Sequence, residues 1–175
     1  MTAVPCYRAT LLCPYLEFFR GIGAPVENGL RQAGLPTIII DEPGMYLPSL
    51  PSIAFLKQLS HREGIDEMPL RALSQVQLSD LSAAFVDRAL SAPSLKTTLE
   101  SFRGLVSIED PHVYFWISYE DTVARLRMSN RLPMDPVKLK NEDWSELLFL
   151  LAIVRAFAGP SWQPEEMAFR SPLRF

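Results

Sequence analysis

An unbroken apolar run, Leu147 to Val154, lies near the C-terminal end of the chain inside a segment whose two ends are both marked as those of a helix. Asn141 is a good N-cap, Glu142 and Asp143 put negative charge in the first turn, Arg155 puts a cation near the last, and Gly159-Pro160 stops the helix. The run is too short to span a bilayer and too apolar to be explained by one amphipathic face. The rest of the chain must therefore cover this helix on most of its sides. Ser161 to Pro164 reads as a turn, and Met167-Ala168-Phe169, flanked by Glu166 and Arg170, alternates like a short strand returning toward the helix.

Upstream, helical spacing dominates the first hundred residues. Tyr7 to Leu12, between Pro5 and Pro14, is an extended arm or a first helical turn. Leu16, Phe18, Phe19 and Ile22 mark a helix over 15–22, and Pro25 opens a second with Val26, Leu30 and Ala33 on one stripe and Gly34 at its end. The glycines here read as turn and cap positions, since no preceding strand frames them as a phosphate loop. Thr37 to Ile40 is an irregular crossing segment with room for one brief strand, bounded by Pro36 and Pro43. Ser52 caps a helix with Ile53, Leu56 and Leu59 facing inward, stopped by Gly64, with His61 near its C-terminal end as a structural or solvated side chain. A loop or helical turn follows over 65–73. A further helix starts near Leu78-Ser79-Asp80 and runs to Ala92, and another runs from a cap at Ser94 to Gly104.

The period then changes to alternation. Leu105 to Glu109 reads as a strand, Asp110-Pro111 as a turn, His112 to Tyr119 as a longer aromatic strand, and Thr122 to Met128 as a third, joined by short turns and so antiparallel. With the segment around Phe169 the sheet has four strands. The expected fold is α+β: an N-terminal helical layer over 1–104 packed on a small, mostly antiparallel sheet in 105–175 that a long apolar helix crosses, all within a single domain spanning 1–175.

No catalytic constellation is legible. The pairs Asp41-Glu42, Glu109-Asp110 and Glu120-Asp121 fall in expected turns and read as solvated charges. Cys6 and Cys13 have a spacing that permits a disulfide, although two reduced thiols suit a chain that opens without a signal peptide and so implies a cytoplasmic location. With two Cys, His61 and distant His112, no zinc-like cluster exists, and no cofactor is expected. The informative stretch is Val113 to Tyr119, whose two faces both carry aromatic surface. Core packing on both sides accounts for that. The sharper reading makes Tyr114 and Trp116 line an apolar cavity, with Arg127 or Arg125 orienting an acidic group on a small ligand. Arg155 must reach water, a carbonyl or an acid, compensating the helix dipole or touching a ligand, and Trp162 closes the edge of a core or shares in a dimer contact.

Three stretches carry a family resemblance. EDWSELLFLLAIVRAFAGPSWQPEEMAFRSP (142–172), FFRGIGAPVENGLRQAGLP (18–36) and FLKQLSHREGIDEMPLRAL (55–73) resemble the N-terminal sensor domain in one branch of the AraC-type bacterial transcription regulators, in the order and roughly the spacing of that family. The motifs are packing and turn patterns and carry no catalytic signature. The resemblance implies a domain that binds a small-molecule effector, forms a homodimer and controls DNA binding through a C-terminal helix-turn-helix pair absent from this chain, as in an excised domain or a natural fragment. It does not imply arabinose, whose sensor is a β-barrel. A protein-interaction module without a metabolite ligand is the alternative, and an enzyme is disfavoured. The formal net charge of −3 over 175 residues argues against a phosphate-binding footprint, so DNA and anionic membranes are not expected partners of this chain alone, while 48% hydrophobic content is enough for a real core.

Overall fold

The computed structural model describes residues 4–132 and 140–168. The order is β1 (Cys6–Arg8), a 3-10 turn, α1 (Cys13–Gly21), α2 (Val26–Gln32), a 3-10 turn at Thr37–Ile40, β2 (Tyr46–Pro48), α3 (Ser49–Arg62), α4 (Met68–Ala72), a 3-10 turn at Leu78–Asp80, α5 (Ala83–Ser91), α6 (Leu95–Glu109), β3 (Val113–Glu120), β4 (Val123–Asn130) and α7 (Lys140–Ala158). The fold is α+β, as expected, but the strands are arranged differently. Two separate antiparallel pairs, β1 with β2 and β3 with β4, stand where one four-stranded sheet was expected.

Leu105 to Glu109 is helical. Once Ser94 caps α6 by accepting from the Thr97 N–H at 3.2 Å, Leu99, Phe102, Leu105 and Glu109 recur on one buried face. Gly104 lies on the exposed face, where its cost of about 1 kcal/mol against alanine does not end a helix held by packing. Five alternating residues were too few to distinguish a strand from that face, and the change from helices to strands therefore comes after Glu109. Met167 and Ala168 are not in a strand, and Phe169 and Arg170 of that expected segment lie outside the described residues. Tyr7 to Leu12 is part strand and part 3-10 turn, Thr37–Ile40 is a 3-10 turn with no strand in it, and the short strand that follows, Tyr46–Pro48, lies beyond Pro43. Ser52 sits inside α3, donating to the Pro48 carbonyl at 2.9 Å instead of capping the helix.

One buried cluster runs from Tyr7 to Val154 and joins the helices to the hairpin. Its centre is aromatic: Phe102 of α6 meets Phe85 edge-on at 6.0 Å and Phe115 of β3 at 4.5 Å. That contact selects the inner face of the β3–β4 hairpin. In α7, no side chain from 141 to 155 is exposed, as the apolar run requires. The helix packs against α4, α6 and the Leu78–Asp80 turn. Among the described residues no helix is long and apolar enough to cross a membrane.

Candidate functional site

Between α1, α3, α5, α6, the open end of the β3–β4 hairpin and α7 lies a cavity of about 120 Å³. Its walls are mostly apolar, with Phe85, Phe102, Val106, Phe149, Leu150 and Ile153 as the main contributors. The polar groups are carboxyls, hydroxyls and one amide: Glu109, Asp110, Glu142 and Glu146, with Tyr7, Tyr15, Ser145 and Asn130. No Lys, Arg or His is found among the described residues of the lining.

The helices place these groups in rows. Glu142 and Glu146 stand one turn apart on α7, in line with Phe149, Leu150 and Ile153, and Glu109 ends the row that Phe102 and Val106 begin on α6. Glu109 is buried and accepts hydrogen bonds from the Thr10 hydroxyl at 2.6 Å and from the Ser82 hydroxyl, which also caps α5 through the Phe85 N–H. Asp110 is buried as well and accepts from the His112 N–H at 2.8 Å. The reading of Glu109-Asp110 as solvated turn charges is thereby corrected: the pair lies inside the core because α6 carries it there.

Glu146 accepts from the Asn130 side-chain amide at 2.6 Å. Burial, opposed only by that bond and reinforced by Asp143, Asp110 and Glu142, pushes its carboxyl up to about 8. Burial and the nearby Asp143 and Asp110 push Glu142 up to about 7. Asp110 is raised by burial too, against the pull of its bond to His112 and of the His112 charge. Ser145 donates to the Asn141 carbonyl at 2.7 Å, so the contact of 2.6 Å between Tyr15 and Ser145 is one in which the tyrosine donates. Tyr7 and Tyr15 are both raised by desolvation and stay protonated. Raised carboxyls are also what proton-transfer catalysis uses, but the described lining offers no activated nucleophile beside them. Cys13 lies outside the lining, and burial pushes its thiol up to about 11.

The residues singled out from the sequence lie elsewhere. The register pairs Trp116 with Arg127, Ser118 with Arg125 and Tyr114 with Ser129, so all of these share the face opposite Phe115 and Met128. Trp116 and Arg127 are thus brought together, but neither they nor Tyr114 line the cavity. Arg127 reaches Glu120 at 3.9 Å, Arg125 reaches Glu120 at 3.0 Å and Glu166 at 3.6 Å, and the Arg131 guanidinium stacks over Tyr114 at 3.6 Å. Arg155 meets its requirement through a carbonyl, donating to Trp162 at 3.1 Å, and Trp162 packs against the core edge. Cys6 and Cys13 are both free. The acidic residues of the cavity are not legible as a site because Glu109 and Asp110 read as turn charges and Glu142 as first-turn charge, while Glu146 carries no sequence signal of its own. The available signal was the helical spacing of Glu142 and Glu146 with Phe149 and Ile153, which puts carboxyls on the buried stripe. Among the described residues, no group of His, Cys, Asp and Glu has the arrangement to hold a metal ion.

Compared with known proteins, the chain matches no protein-family model and no curated protein.

Proposed function

We propose that this chain is the effector-binding and dimerisation domain of an AraC-like transcription regulator, in which a small molecule occupies the cavity and shifts the balance between two arrangements of the domain. The observation that carries this reading is the cavity itself: a mostly apolar space with a few convergent polar groups, bounded by the helical layer, the hairpin and α7. In this reading α7 crosses behind the small sheet and reports occupancy, because it contributes both polar and apolar wall. DNA is contacted only through helix-turn-helix units beyond this chain, which works in the cytoplasm as a homodimer. The effector is bound and released unchanged, and its influence equals its differential affinity for the two arrangements. A broad thermal-shift screen tests this. A ligand selective for the native state raises the melting temperature, and substitution of Leu150 by Trp, which fills the cavity, removes the shift. A screen without a single saturable ligand overturns the reading.

A second reading is favoured by the outer face of the hairpin, where Trp116 and Val123 are both exposed. A docking module without a metabolite would use that surface. Sizing chromatography of the wild type and of Trp116→Ser separates the two, since only docking or self-association through the hairpin is lost in the variant.

A further inference from the structure

We infer that the cavity selects a small organic cation: an amine with an apolar body, its ammonium seated among Asp110, Glu142 and Glu146 and its body against Phe85, Phe102, Phe149 and Leu150. The inference rests on the sensor reading and names the chemistry of the effector.

Three observations lead to it. The carboxyls converge on the cavity from two elements, Asp110 from the end of α6 and Glu142 and Glu146 from α7, and are close enough that Asp110 raises the proton affinity of both glutamates and Glu142 that of Glu146. Among the described residues of the lining the neighbouring groups are neutral: Asn130 of β4 gives one amide to Glu146, Tyr15 of α1 donates to Ser145 and Tyr7 of β1 stays protonated, while Asp143 on α7 raises both glutamates further. Among the described residues His112 opposes the rise of Asp110, and it does not line the cavity. An anionic guest would therefore be repelled, and a neutral one would leave an ionised carboxylate without a counter-charge in a desolvated space. An ammonium offers three donors to three acceptors, and the Tyr7 and Tyr15 rings add faces that attract a cation. A metal ion does not fit, because no described group has metal-holding geometry. The size agrees as well. A cavity of about 120 Å³ is near that of an engineered cavity known to take benzene, of about 150 Å³, so the apolar body is a single ring or a short chain.

The test is titration calorimetry at neutral pH with three compounds of one shape: cyclohexylmethylamine, cyclohexylmethanol and cyclohexanecarboxylate. The amine is expected to bind at least about tenfold more tightly than the alcohol, the carboxylate not at all, and the amine's preference is expected to fall about tenfold in each of Glu142→Gln and Glu146→Gln, as for loss of one charge-assisted bond. Because burial holds these carboxyls near 7 and 8, amine binding is also expected to release protons, seen as a dependence of the heat on the buffer's ionisation enthalpy. Equal or tighter binding of the alcohol or the carboxylate overturns the assignment and leaves the sensor reading standing, as does amine binding that both glutamine variants retain in full. If all three compounds fail, the hits of the broad screen decide: a cation that loses affinity in the glutamine variants supports the assignment, any other class overturns it alone, and no hit overturns it together with the sensor reading.

Discussion

Asn130, the last residue of β4, gives its side-chain amide to Glu146 of α7 at 2.6 Å while its carbonyl oxygen accepts from the Leu132 N–H at 2.8 Å. The second bond orients the first, since with the oxygen engaged on the chain the nitrogen must face the helix. The hairpin and α7 are thus joined at the cavity by a bond that either protonation state of Glu146 accepts. Its environment sets which state is present, and that has consequences for stability.

Stability is expected to fall as pH rises from about 5 to 8. Glu142 and Glu146 are raised from an ordinary 4.5 to about 7 and about 8 in the folded chain, so between these values the folded state holds more protons than the unfolded one. Their contribution is full below about 4.5 and is lost as pH climbs through the folded values. Asp110, also raised, acts in the same direction at lower pH, whereas the raised Tyr7 and Tyr15 matter only in strong alkali. The total is on the order of a few kcal/mol. Urea unfolding across this range should give a declining curve in the wild type and a flatter one in Glu146→Gln, which keeps an acceptor for Asn130. A curve that rises toward pH 8 would contradict the placement of these carboxyls.

Glu109→Ala should be among the more damaging single changes, at about 2–4 kcal/mol, because the Thr10 and Ser82 hydroxyls then lose a shared buried acceptor. Glu109→Gln retains one carbonyl oxygen and should cost less. Denaturant midpoints of the two variants give the comparison, and equal midpoints would mean that the carboxylate bridge between α6, α5 and the Thr10 turn contributes nothing.

What was readable in the sequence follows from how local each cause is. The Ser94 cap, the stop at Gly64 and the hairpin over Val113 to Asn130 depend on neighbours a few residues away and were legible to within a few residues. The extent of α6 was not, because Gly104 and the alternation of 105–109 argue locally for a break, while Phe85 and Phe115, far along the chain, hold the helix together through Phe102. The face of the hairpin was illegible for a related reason: both faces are aromatic, and only the approach of Phe102 decides which one turns inward. The acidic cavity follows from that choice, since Met128 and Asn130 reach it only when Phe115 points at α6.

Gly29 offers a test of packing inside the helical layer. It was read as a turn or cap residue, yet it lies within α2, and a Cβ there would stand 2.8 Å from Cε2 of Phe55, which is itself buried. Alanine would gain about 1 kcal/mol of helix propensity and lose about 1–3 kcal/mol to overpacking. A net destabilisation of about 1 kcal/mol is expected for Gly29→Ala. Adding Phe55→Leu should make the pair less damaging than the sum of the single changes, because the leucine lacks the ring edge that clashes. Strict additivity in thermal unfolding would show that the close approach has no energetic weight.

Binding should respond to the inner wall and not to the outer face of the hairpin. Trp116 is 41% exposed and pairs with Arg127 on the side turned away from the cavity, so Trp116→Ala and Arg127→Ala should each leave ligand affinity within about twofold, as expected of surface changes distant from a site. Leu150, by contrast, is buried against the cavity. Leu150→Trp places a larger side chain in a space of about 120 Å³ and should abolish binding by filling it. Because overpacking alone costs about 1–3 kcal/mol, the variant's fold must be followed by circular dichroism, and Leu150→Ala supplies the reciprocal control: it enlarges the cavity, so a ligand longer by one or two carbons should gain affinity relative to the shorter one. Loss of binding in Trp116→Ala with retention in Leu150→Trp would move the site to the face that carries Tyr114, Trp116 and Arg127.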